Sequence, residues 1–79
     1  MFYYTYVLIS TKDDKLYVGW TDNLKKRLRK HNSGLVEATR HRRPLELKYF
    51  EACKDKMKAI HREKYFKSGF GRRFLKDRI

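Results

Sequence analysis

Residues 2–10, FYYTYVLIS, carry aromatic and β-branched side chains in loose alternation, which predicts a strand. Lys12-Asp13-Asp14-Lys15 follows as a polar turn, and residues 16–20, LYVGW, read as a second strand, so the two form a hairpin. After Trp20 the period becomes that of a helix. Thr21 or Asp22 can cap it, Leu24 and Leu28 mark its apolar stripe over about 22–33, and Gly34 stands where a helix C-terminal glycine belongs. Residues 35–44 show no period and hold Arg40-His41-Arg42-Arg43, so they read as a basic loop, with Pro44 leading into the next strand. There Leu45, Leu47, Tyr49 and Glu51 alternate with Glu46, Lys48 and Phe50, giving a third strand to about Ala52. Asp55 caps a second helix over 56–67, Ser68-Gly69 ends it, and a short helix over 71–78 docks through Phe70, Phe74 and Leu75. The order is ββαβα with that short C-terminal helix, an α/β chain of the α+β kind: a small three-stranded sheet packed by helices.

Composition narrows what such a chain does. At 79 residues it reads as one domain, 1–79, with one small core. A core of that size supplies roughly 3–5 kcal/mol of net stability. Lys and Arg number 21 against 9 Asp and Glu, a net charge of +12. That excess repels itself and weakens the fold unless a polyanion binds. Nucleic acid comes first, because each neutralised phosphate releases counterions. An anionic membrane surface comes second, although no apolar run approaches the ~20 residues of a span and no signal-peptide pattern is seen. Cys53 is the one cysteine, so no intrachain disulfide or cysteine-based zinc site can form, and a reducing, cytoplasmic setting fits. Cys53 itself reads as a small buried hydrophobe. His31, His41 and His61 do not make a close-spaced metal motif.

Three polar groups sit oddly on this pattern. At about 100° per residue, Leu24 and Leu28 define the first helix's apolar stripe, and Arg27 and His31 fall at its edge, on the border of core and solvent. The ordinary reading is a snorkelling arginine and an edge histidine. On the second helix Ala59, Ile60 and Phe66 define an apolar arc, and Glu63 falls inside it. A carboxylate there loses hydration unless paired. Lys67 one turn on, Arg27 or a divalent cation can be the partner, and one carboxylate suffices for Mg²⁺, which keeps waters and shares phosphate oxygens. Tyr6 and Tyr17, eleven positions apart, read first as strand aromatics. Nearby cations favour a phenolate, and lowering a phenol by two pKa units takes roughly 2.7 kcal/mol. Arg27, Lys26 or a metal-bound network could supply it. Arg40, Arg42 and Arg43 in the loop, with Lys26 and Lys30 on the first helix, form the expected phosphate-tracking surface; Lys67 joins them.

These residues, taken in order, resemble the GIY-YIG nuclease superfamily, and more narrowly its small stand-alone bacterial members. Tyr4-Thr5-Tyr6 stands at the first motif and Tyr17-Val18-Gly19 at the second. Arg27, His31-Asn32-x-Gly34, Arg42-Arg43-Pro44-Leu45 and Glu63 before Tyr65-Phe66-Lys67-Ser68-Gly69 follow. The resemblance implies a three-stranded antiparallel sheet flanked by helices, and phosphodiester hydrolysis dependent on one divalent cation, Mg²⁺ or Mn²⁺. By that resemblance Tyr6 would deprotonate or orient the attacking water, Tyr17 would position Tyr6 and the scissile phosphate, and Arg27 would stabilise the transition state. His31 would assist by hydrogen bonding or proton transfer, and Glu63 would hold the metal. The motif glycine is Tyr4 here and its isoleucine is Thr5; a late Asn of some members has no counterpart after Glu63; Trp20 lies beside the site.

The leading expectation is therefore a DNA endonuclease, structure-selective or of low sequence specificity because no second DNA-reading domain is present, with RNA left open as substrate. A monomer or weak homodimer is expected, with room for a further protein partner. The runner-up is a nucleic-acid-binding module that keeps the fold without cleaving. A third reading is a basic adaptor for acidic proteins or lipids.

Overall fold

A computed structural model describes residues 1–79. Strand β1 spans Tyr3–Ser10, β2 Leu16–Thr21 and β3 Leu45–Cys53; helix α1 spans Leu24–Asn32, α2 Lys56–Phe66 and α3 Gly69–Lys76. The sheet is antiparallel throughout, in the order β2-β1-β3. The first strand in sequence is thus the central one. Thr5, Tyr6, Val7 and Leu8 are all buried, so β1 loads both faces, and this explains its loose alternation.

Each face has its own core. Val7 and Val18 pack with Phe66 of α2 and Leu75 of α3, supported by Tyr49 and Phe74. On the opposite face Tyr6, Leu8 and Leu45 pack with Leu24 and Leu28 of α1. Strand β3 serves both, through an irregularity that its sequence did not suggest. Val7 pairs with Tyr49 but Leu8 with Leu47, so Lys48 is an extra residue in the ladder. Leu45 and Leu47 therefore join the α1 face while Tyr49 joins the α2 face. The predicted alternation holds in burial, with Leu45, Leu47, Tyr49 and Glu51 covered and Glu46, Lys48 and Phe50 exposed, while Leu45 and Leu47 are covered on one face and Tyr49 on the other.

The helix signals hold with small shifts. Neither Thr21 nor Asp22 caps α1; Asn23 does, its Oδ1 accepting from the Lys26 amide at 3.1 Å. Thr21 is occupied one step earlier, its hydroxyl accepting from the Asn23 amide. Gly34 adopts φ +82°, the left-handed turn that ends a helix without a Cβ clash. Asp55 caps α2 as expected. Ser68 ends α2 and also caps α3, which starts two residues before the predicted 71–78. That start puts Phe70 in the first turn, 73% exposed under Arg73, so Phe74 and Leu75 dock the helix and Phe70 does not. Cys53 is likewise only half-buried, because it closes β3 beside the α2 cap.

Two polar devices fix the frame. Arg62 of α2 grips the Glu51 carboxylate with two hydrogen bonds, 2.8 and 3.0 Å, and stacks within 4.9 Å of the Tyr65, Phe66 and Phe74 rings. Asn32 at the end of α1 clamps Leu45, its amide giving to the carbonyl at 2.9 Å and taking from the N–H at 2.8 Å. The intervening segment is no free loop. A single 3₁₀ turn, Arg40–Arg42, buries Val36 and Thr39 beneath it. Ser10 of β1 donates to its Arg42 carbonyl at 2.6 Å.

Candidate active site

The α1 face holds four of the five predicted catalytic residues together. Tyr6 projects from the middle of β1 across β2, over Gly19, its register partner. A Cβ at Gly19 would stand 2.5 Å from the Tyr6 hydroxyl, so only glycine lets the phenol lie there. From that position the Tyr6 oxygen meets His31 Nε2 at 2.9 Å and accepts from Arg27 Nε at 3.4 Å. Tyr17, two residues from Gly19 on β2, turns its ring to 5.1 Å from the imidazole and 6.5 Å from Tyr6. The one-turn spacing of Arg27 and His31 on α1 sends both side chains to the same oxygen.

His31 does not sit at the border of solvent, as the helix stripe predicted; its exposure is 0%. The segment after α1 folds back over it, and buried Thr39 meets its Nδ1 at 2.7 Å. A helical wheel carries no information about that cover. Burial, and then the charge of Arg27, push the His31 pKa down to about 4, so the ring is neutral at neutral pH. The predicted lowering of Tyr6 is also corrected. Burial raises its phenol, and the Arg27 hydrogen bond and charge offset only part of that rise. The Tyr6 bond in turn raises the pKa of Arg27, which stays a fixed cation on the half-buried side of the site.

Glu63 approaches from α2 and makes no hydrogen bond to these four, but its charge reaches Tyr6 and adds to the rise of the phenol. Its carboxylate is 19% exposed and pairs with Lys67 at 3.6 Å, the one-turn partner expected. No group of three or more His, Cys, Asp or Glu converges anywhere in the chain. That donor set does not suit zinc. It does suit a hard cation that takes one carboxylate and completes its shell with water and phosphate oxygens.

The predicted phosphate-tracking cations divide among three elements. Lys26 and Lys30 are exposed along α1, and Arg40 and Arg43 are exposed at the 3₁₀ turn. Arg42 is half-buried against Asp13 at 3.3 Å, and Lys67 is tied to Glu63. Two grooves flank the site. One, of about 260 Å³, runs past Arg27, Trp20 and Lys56. The larger, about 800 Å³, has Tyr17 at its wall, an apolar floor of Val18, Phe66 and Leu75, and a rim of Lys15, Lys67, Arg72 and Lys76. The sequence did not bring Lys15, Arg72 and Lys76 together on one rim, because nothing in their surroundings links the hairpin turn to α3. Thr39 was missed for the same reason, while Gly19 was visible as a motif glycine without a stated role.

A phenol held over a strand glycine, beside an arginine and a histidine of one helix, defines a recognisable class. The GIY-YIG catalytic domain model matches residues 2–76, and the chain belongs to that family. Within it, the chain is 48% identical over 65 residues to a UPF0213 protein of Clostridium perfringens, covering 81% of this chain and 69% of that protein. A UPF0213 protein of Bacillus licheniformis is 46% identical over 66 residues, covering 82% and 67% respectively. The solution structure of the Bacillus halodurans UPF0213 protein matches the fold with a TM-score of 0.59 at 32% identity, over 98% of this chain and 84% of that one. No helix is long and apolar enough to cross a membrane.

Proposed function

We propose that this chain is a metal-dependent endonuclease that hydrolyses DNA phosphodiester bonds, structure-selectively or with low sequence specificity. The observation that carries this reading is the Tyr6 oxygen held by nitrogens of both Arg27 and His31, with Arg27 lining one groove and neighbouring Tyr17 the other. Nothing in core packing calls for two such groups on one phenol oxygen. They suit a site that must handle a proton beside a phosphate.

The residues divide the work as follows. Tyr6 takes or orients the proton of the attacking water. Tyr17 packs against His31 and keeps the phenol aligned with the phosphate. Arg27, already cationic and aimed at the site, stabilises charge that builds in the transition state. His31, neutral and buried, holds Tyr6 by a hydrogen bond. Glu63 would hold one Mg²⁺ or Mn²⁺, whose charge would serve as Lewis acid at the leaving oxygen and would cancel the carboxylate charge that raises Tyr6. Lys26, Lys30, Arg40 and Arg43, with the rim Lys15, Lys67, Arg72 and Lys76, give the strand its phosphate contacts.

The test is nicking of supercoiled plasmid and of branched oligonucleotides with Mg²⁺, Mn²⁺ or chelator. Cleavage that requires the metal and falls by about 10²–10³-fold in Glu63→Ala and Arg27→Ala proteins is expected. Undiminished cleavage in both variants refutes the assignment.

One observation favours a second reading. Tyr6 is 1% exposed and its phenol is harder, not easier, to ionise than a free one. A nucleic-acid-binding module that keeps the fold without cleaving would carry such a tyrosine as a core residue. Salt-sensitive DNA binding with no cleavage under any metal or substrate would favour it.

A further inference from the structure

His31 is gripped at both nitrogens, Nδ1 by Thr39 Oγ1 at 2.7 Å and Nε2 by the Tyr6 hydroxyl at 2.9 Å. Thr39 and His31 are 0% exposed and Tyr6 is 1% exposed. A neutral imidazole carries one N–H, so the chain of three has two arrangements. In the first, Nδ1–H donates to Thr39 and the Tyr6 O–H donates to Nε2. That leaves the Thr39 hydroxyl hydrogen without an acceptor, since His31 is the one side-chain or backbone partner its oxygen has. In the second, the Thr39 O–H donates to Nδ1, and Nε2–H donates to the Tyr6 oxygen. The hydrogen left over is then the phenol's own, on the side where Arg27 and Tyr17 line the two grooves. A buried donor without an acceptor costs about 1–3 kcal/mol. The second arrangement removes that cost at fully buried Thr39 and leaves the spare hydrogen on Tyr6, itself 1% exposed but packed beside the half-buried Arg27 and Tyr17.

We infer that Thr39 is a positioning residue: its hydroxyl holds His31 in the Nε2–H tautomer, so that His31 donates a hydrogen bond to Tyr6 and does not take its proton. The ring's preference for the neutral form agrees with this. Tyr6 then receives two N–H donors, from Arg27 and from His31, which oppose the rise that burial gives its phenol. The consequence for cleavage rests on the nuclease reading; the tautomer does not. It also gives the segment between α1 and β3 a task, because Thr39 joins the catalytic cluster to the 3₁₀ turn that carries Arg40 and Arg43.

The experiment is nitrogen-15 NMR of the imidazole of His31 at neutral pH, where protonated and bare ring nitrogens have well-separated shifts. Wild type, Thr39→Ser and Thr39→Val are compared, with cleavage rate and DNA affinity measured on each. Expected are Nε2–H in wild type and in Thr39→Ser, and a shift toward Nδ1–H in Thr39→Val. Expected too is a loss of at least about tenfold in kcat for Thr39→Val, at unchanged DNA affinity, with Thr39→Ser restoring the rate. Nδ1–H in wild type, or an unaltered tautomer in folded Thr39→Val, overturns the inference. Should Thr39→Val not fold, the wild-type and Thr39→Ser spectra decide alone. The expected tautomers in a protein that cleaves nothing would sink the nuclease reading and leave the role of Thr39 standing.

Discussion

The two faces of the sheet share one central strand and are built on opposite principles. On the α2–α3 face, Val7, Val18, Phe66 and Leu75 form an apolar cluster, and the half-buried cation Arg62 is matched by Glu51 and stacked on aromatic rings. On the α1 face, Tyr6 and His31 stand where Leu or Val would serve packing better, and they are satisfied by hydrogen bonds to each other, to Arg27 and to Thr39. In β1 this division is a matter of parity: Thr5 and Val7 face one way, Tyr6 and Leu8 the other. One face is held by apolar contact; the other holds hydrogen-bonded polar groups in a fixed arrangement. Thr5 shows how closely the apolar face is fitted. It replaces the isoleucine of the motif and donates its hydroxyl to the Ala59 carbonyl at 2.9 Å.

The largest effect is expected from breaking the apolar face. Phe66→Ala removes a ring that is 1% exposed and stacked 5.8 Å from Phe74. Such truncations cost about 3–5 kcal/mol, comparable to the whole net stability of a domain this small. Loss of the cooperative thermal transition is expected, by circular dichroism. Retention of a transition near the wild-type temperature would show that the two faces share the load. Next comes Gly19→Ala on the reactive face. The added methyl would stand 2.5 Å from the Tyr6 oxygen, and overpacking of that kind costs about 1–3 kcal/mol. The protein is expected to fold while cleavage falls at least about tenfold, as Tyr6 is pushed off His31.

Acid separates the faces by pH. The folded pKa of His31, about 4, lies below its ordinary 6.5, so the unfolded chain binds the proton more readily. The stability this contributes is complete above about pH 6.5 and is lost as pH falls toward 4, to the extent of about 3 kcal/mol. On the other face, burial alone would raise Glu51, but hydrogen bonds from Arg62 and Tyr49 hold its carboxyl below the ordinary 4.5. Its contribution persists until the pH falls below that value. Urea midpoints measured from pH 7 to pH 3 are therefore expected to decline first through the His31 window and then again lower down. A flat profile between pH 6.5 and 4.5 would mean that His31 is not buried as a neutral ring. The smallest effect is outside both faces: Lys30→Ala should leave stability unchanged and reduce the salt dependence of DNA binding by about one phosphate contact.

Much of this division was legible from sequence because strands and helices announce themselves by period. The hairpin, the Asp55 cap, the Gly34 stop and the Glu63–Lys67 pair all follow from local rules, and Arg27 and Glu63 stood out as polar groups against apolar positions. The parts not legible are those made by long-range contact. The irregular step at Lys48 depends on how β3 registers with β1, not on β3 itself. His31 is buried by a segment eight residues later whose composition reads as a solvated charge run. The direction of the Tyr6 shift follows from that burial, which outweighs the nearby cation that the sequence made obvious. Phe70 was misplaced for a smaller reason: a two-residue change in where α3 begins rotates it from the core to solvent.

The claim that the α1 face is a reactive site and not a second core is tested most directly by Tyr6→Phe. The substitution keeps the ring and removes one oxygen. Metal-dependent cleavage of plasmid DNA by the folded variant is predicted to fall at least about 10²-fold, with DNA affinity and the native circular dichroism spectrum retained. Cleavage within about threefold of wild type, with the fold intact, would contradict the account.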